Sequence, residues 1–306
     1  MFRDVQTLPP VNAPPVAEGG DVTVIQSGWR LAVRAFAENR LAVIGVGLIV
    51  FFVLFCWAGP LFYHSNTSIS NLLNVNSAPG TGDPLGTDTN GFDILGSLMV
   101  GGQVALEVGI LAALIATFVG TLWGAIAGLV GGIVDGAMMR VVDVILSIPL
   151  LFIVLIVGAK YGASVLSLAL IIGGFSWLAP SRLVRGEVLT IRERDFVAAA
   201  RSAGSSRTRL VLRHLIPNAL SVVIVNITFQ VADAILLIAA LGFLGFGLTF
   251  PVIDWGDMLS GGTSNLLNGY WWEVYPVGLC IVLVVMACNL IGDALRDALD
   301  VRLRRR

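Results

Sequence analysis

Residues 41–63 read Leu-Ala-Val-Ile-Gly-Val-Gly-Leu-Ile-Val-Phe-Phe-Val-Leu-Phe-Cys-Trp-Ala-Gly-Pro-Leu-Phe-Tyr, without one charged side chain. A bilayer core takes about 20 consecutive apolar residues of helix, so this run is long enough to cross it. Working outward, five more apolar runs follow, at 104–133, Val141–Ala159, Gly162–Ala179, 216–247 and Val274–Leu295. The expected fold class is an all-α integral membrane protein of about six transmembrane helices.

Composition supports that class. The 306 residues are 56% hydrophobic and carry only 19 basic and 20 acidic side chains, far fewer than a soluble surface needs. Cys56, Cys280 and Cys288 sit singly in apolar runs, and the two histidines, His64 and His214, form no metal-binding pair. No metal site or catalytic residue is therefore expected. The one lysine, Lys160, is outside any Gly-x-x-x-x-Gly-Lys loop, so no P-loop nucleotide site is expected in this chain.

The arginines set an orientation. Six spans place residues 1–40, 134–140, 182–214 and 296–306 on one side, and every arginine falls there. Segments 64–100 and 248–272 contain no arginine or lysine but several aspartates. By the positive-inside rule both termini are expected in the cytoplasm. Residues 29–40 pattern as a short amphipathic helix on the membrane surface, following a tail rich in proline and valine. Gly120, Gly124, Gly128, Gly132 and Gly136 recur every four residues, a small-residue stripe suited to close helix packing.

The long polar insert 182–218 is unusual. Asp195 suits the N-cap of a short helix, Gly204 its left-handed stop, and Ser205–Ser206 the cap of a second helix ended by Pro217. Two short helices meeting at a glycine make a compact knob for docking into another protein.

These residues resemble a known pattern. Ala198-Ala199-Ala200, Gly204 and His214-Leu215-Ile216-Pro217-Asn218 are similar to the EAA loop of ABC-importer permeases, with Ala198 where that family usually has glutamate. Pro84-Leu85-Gly86-Thr87-Asp88 with Gly91 and Asp93, then Gly131-Gly132, Asp135, Arg140, Asp143 and Pro149, resemble the C-type permease of dipeptide, oligopeptide and nickel importers. Phe243–Gly247, Trp255-Gly256-Asp257-Met258-Leu259 and Asn289 with Gly292–Asp300 extend the likeness. Asp83 and Phe92 replace that subfamily's usual histidine and arginine.

The resemblance implies a type I ABC importer permease, with a transmembrane core at 101–296 after a first span at 41–63 and an external segment at 64–100. Residues 297–306 would form a basic cytoplasmic tail. It implies no bound cofactor in this chain, with ATP and magnesium used by two partner P-loop ATPases. A homologous second permease and an extracytoplasmic binding protein complete the set; nucleic acid has no part in it. The implied setting is the plasma membrane of a prokaryote and the cargo a peptide, with nickel or another small solute as the alternative. The coupling surface would comprise Asp195, Phe196, Ala198, Ala199, Ala200, Arg201, Gly204, Ser205, Arg207, Arg209, His214, Pro217 and Asn218.

On the fifth span, Asn226, Gln230 and Asp233 are candidates for the translocation path, because polar groups inside a membrane usually face a cavity or a partner. Trp255, Trp271 and Trp272 read as an interfacial belt. A secondary transporter would couple to an ion without partner chains and typically shows internal repeats; none is seen here. A membrane-embedded enzyme would need a nucleophile–base or metal-ligand cluster, which the sequence lacks.

Overall fold

Asn39 divides the first helical stretch in two. Helix α1 (Gly28–Glu38) stops before it, and the Asn39 side chain accepts from the Leu41 and Ala42 amides to cap α2 (Arg40–Val53). From Leu54 to Ala58 the helix widens into a π-turn and then closes with Gly59–Phe62, giving one apolar rod. The computed structural model describes residues 28–304 except 66, 68, 81, 162–163, 195–196, 198–201, 203 and 205–215.

Helix α3 (Ile94–Val130) is 37 residues long, about 55 Å at 1.5 Å per residue. It starts ten residues before the run expected from hydropathy. Asp93 caps it by accepting from Leu95 and Gly96, and Gly131, at φ 69°, ends it. The early turns are built around another ring. Trp255 is buried, donates from Nε1 to the Leu98 carbonyl at 3.0 Å, and meets Phe52 edge-on. A Cβ on Gly102 would lie 2.8 Å from that indole, so glycine makes room for it.

Two spans are broken. Helices α4 (Gly132–Leu146) and α5 (Leu150–Tyr161) meet at 76° across Ser147–Pro149. Proline has no N–H and disfavours helix in the residue before it, which accounts for the stop. Helices α6 (Val165–Ser176) and α7 (Leu178–Arg192) meet at 43°. Then come α8 (Ile216–Phe243), the short α9 (Trp255–Thr263) and α10 (Tyr275–Arg304). Among the described residues, four helices can cross a membrane, or six if each bent pair is one span.

The insert expected to begin at 182 is helical up to Arg192, because α7 continues there along α3. Lipid tails give helices no hydrophobic reason to associate, so close packing must hold them. Glycine supplies it. A Cβ on Gly120 would sit 2.7 Å from the Trp177 carbonyl oxygen, and one on Gly124 would overlap the Ser181 carbonyl oxygen. Gly128 abuts Val188 in the same way, whereas Gly132 and Gly136 face open space. The stripe is thus a packing seam over its first three members.

The tryptophan belt needs correction. Trp255 and Trp272 are buried, with their indole N–H groups committed to Leu98 and Thr87 carbonyls, and only Trp271 is exposed. An indole buried on both sides requires a hydrogen-bond acceptor, and both rings found one in protein.

Candidate functional site

Helix α8 carries Asn226, Gln230 and Asp233 at steps of four and three, which places them along one side. Their surroundings differ. Gln230 is buried, and its Nε2 donates to the Ser176 carbonyl at 3.0 Å. In an unbroken helix that carbonyl would pair with the amide of residue 180, but residue 180 is proline. Gln230 therefore fills a bond that the α6–α7 break leaves empty.

Asp233, about one turn on, is exposed and makes no hydrogen bond or ion pair among the described residues. It opens, with Gln230, on a cavity of 490 Å³. Apart from Ser176, the other walls are apolar, among them Leu146, Ile148 and Pro149 at the α4–α5 bend, Phe175 in α6, and Leu236 and Leu237 in α8. Both breaks thus border the same space. An acidic group at span depth costs about 2.5–3.5 kcal/mol on the insertion scale, so a water-filled or partner-lined cavity is its natural setting. Asn226 does not line it; its Oδ1 is buried with no hydrogen-bond partner among the described residues.

At the arginine-rich end, α7 is tied down by charge. Arg185 grips Asp135 of α4 with two bonds, Nε to Oδ1 at 2.5 Å and Nη2 to Oδ2 at 2.7 Å. Arg182 pairs with Asp143, and Arg192 Nη1 reaches the Gly128 carbonyl at 3.3 Å. In the sequence these arginines serve only as markers of orientation. The available signal was spacing: Arg182 and Arg185 lie one turn apart on α7, Asp143 and Asp135 two turns apart on α4.

Beyond α7 the chain enters the expected coupling surface. Val197 is buried in a cluster with Val184, Val188 and Ile191 of α7 and Ala219 and Val223 of α8. Gly204 has φ +78°, the left-handed conformation expected of a helix-stopping glycine. Asp195, Phe196, Ala198, Ala199, Ala200, Arg201, Ser205, Arg207, Arg209 and His214 lie outside the described residues, as do the side chains of Pro217 and Asn218.

Residues 120–305 match the family described as the binding-protein-dependent transport system inner membrane component. Residues 27–79 match the N-terminal transmembrane domain of oligopeptide transport permease C. The chain belongs to this permease family. It is 35% identical over 298 residues to the oligopeptide transport system permease protein OppC of Bacillus subtilis, covering 95% of this chain and 97% of that one. To OppC of Escherichia coli K12 it is 38% identical over 277 residues, 90% and 91% of the two chains. The dipeptide transport system permease protein DppC of Alkalihalophilus pseudofirmus is 35% identical over 97% of this chain and 96% of its own.

The family match covers both the broken spans and the 195–218 segment, so the permease core includes the Asp233 cavity as well as the base of the loop. A permease of this kind is a multi-pass membrane protein, and the apolar helices supply the spans.

Proposed function

We propose that this chain is one of two permease subunits of an ATP-driven importer of peptides. The observation that carries the reading is the near full-length match to permeases named for oligopeptide and dipeptide transport. Both termini and the 195–218 loop face the cytoplasm, where two P-loop ATPases with magnesium and ATP engage the loop. The arginine-free end faces outward, toward an extracytoplasmic binding protein. The 490 Å³ cavity with Asp233 is this subunit's half of the translocation path, completed by the second permease.

In this scheme ATP-driven closure moves the loops of the two permeases together. Val197 and its cluster pass the motion to α3, α7 and α8, which then open outward. ATP and loaded binding protein must each favour the outward state, because a ligand shifts an equilibrium only by its differential affinity.

Affinity purification of the tagged chain from its native membrane in mild detergent, with mass spectrometry of what accompanies it, tests the reading. A second permease, P-loop ATPases and a binding protein are expected. Recovery of this chain alone in several detergents would move the assignment to a stand-alone transporter.

A further inference from the structure

The arginine-free end holds a second cavity, of 330 Å³, between the 88–94 segment, the 250–253 turn, α9 and the turn entering α10. Three carboxylates line it, Asp88, Asp257 and Glu273, and among the described residues no arginine, lysine or histidine does. Glu273 is only 3% exposed. Its Oε2 accepts from Asn265 Nδ2 at 2.8 Å, while Oε1 is buried with no hydrogen-bond partner among the described residues. A buried carboxylate oxygen without a donor is costly, so this one is set for a donor that comes from outside the chain.

The other two acids add to the field. Asp257 lies on the exposed side of α9, and burial, then the charge of Asp88, pushes its carboxyl above the usual range. Asp88 is held in place by accepting from the Asn90 and Phe92 amides. Phe92 and Phe250, stacked with ring centres 6.1 Å apart, give the cavity an apolar wall.

Among the described residues, no three His, Cys, Asp or Glu side chains come together closely enough to hold a metal ion. Carboxylates spread around a cavity of this size suit a cation that carries several N–H donors and some carbon with it. We propose that the cavity receives the amino-terminal ammonium of an incoming peptide, with Glu273 Oε1 as its acceptor and Asp88 and Asp257 completing a negative rim. This rests on the peptide-import reading. The amino terminus is the one cation that every unblocked peptide carries whatever its sequence, and the cavity has room for about one residue behind it.

The test uses the whole importer complex in nanodiscs, without its binding protein, titrated calorimetrically with tri-alanine and with N-acetyl-tri-alanine. Tri-alanine is expected to bind saturably and the acetylated peptide at least tenfold more weakly. Glu273→Gln and Asp257→Asn should each weaken tri-alanine about tenfold and leave the acetylated peptide unchanged. Asp257 is exposed, so its variant keeps the test open if Glu273→Gln fails to co-purify with its partners. Equal binding of the two peptides, no binding to the native complex, or unchanged affinity in the variants would overturn the assignment. So would a loss of binding-protein docking in Glu273→Gln with tri-alanine affinity intact, which would give the cavity to a basic side chain of that protein. Uptake of labelled tri-alanine and of labelled N-acetyl-tri-alanine is measured in parallel in sealed vesicles carrying the native complex with its binding protein. Uptake without ammonium preference refutes the cavity alone, whereas no uptake of any peptide refutes the import reading.

Discussion

Pro180 has no amide hydrogen to offer the Ser176 carbonyl, and Gln230 supplies one from α8. Asp233, a turn away on the same helix, has no such task. Two neighbouring polar residues thus divide between holding a helix break together and facing a cavity, a distinction that polarity alone does not reveal. The pair can be separated experimentally. Gln230→Leu leaves a buried carbonyl unpaired, at a cost of about 1–3 kcal/mol, and should lower the thermal midpoint of the purified complex. Asp233→Leu removes a charge that has no partner among the described residues, so the midpoint should hold or rise while peptide uptake falls at least tenfold. Unchanged uptake and assembly in Asp233→Leu would take this residue off the path.

At the scale of elements, long apolar runs with at most one charge each are enough to place the candidate spans, because hydrocarbon tolerates few polar groups. Their ends were less legible. The start of α3 depends on an aspartate cap and on glycines that admit Trp255, and an apolarity reading sees neither. The continuation of α7 to Arg192 was hidden by its polarity, since its arginines are paired with Asp135 and Asp143 rather than solvated. The α6–α7 break carries Pro180 as its trace, yet the compensating Gln230 lies 50 residues downstream. The glycine stripe, in contrast, has a direct test of whether it is a seam. Gly124→Val drives a side chain into the Ser181 carbonyl of α7, an overpacking worth about 1–3 kcal/mol or more, and should abolish stable expression. Gly136→Val, in the same sequence register but facing open space, should express normally. Equal tolerance at both positions would mean that α3 and α7 do not pack as described.

For the molecule as a whole, the two ends differ in charge as sharply as in structure. The arginine-rich end carries Arg182, Arg185 and Arg192 on paired or backbone acceptors and leads into the segment proposed to couple to the ATPases. The opposite end carries Asp88, Asp254, Asp257 and Glu273. Moving an arginine through the bilayer centre costs about 2.5–3.5 kcal/mol even on the lenient scale, so a chain that segregates all its arginines inserts one way. In the proposed importer that orientation decides which end would meet ATPases and which would meet cargo, and it can be measured on the intact protein. Cys56 and Cys288 are buried and Cys280 half-buried, and alanine in their place leaves a background without thiols. Into it go single cysteines at Leu267, 98% exposed at the arginine-free end, and at Glu193, exposed just beyond α7. In whole cells a membrane-impermeant maleimide should label Leu267→Cys at once and Glu193→Cys only after permeabilisation. The reverse pattern would put the 195–218 loop outside the cell, beyond reach of any ATPase, and the 330 Å³ acidic cavity inside. Both functional assignments would then fall together, because each depends on the side its end of the bundle faces.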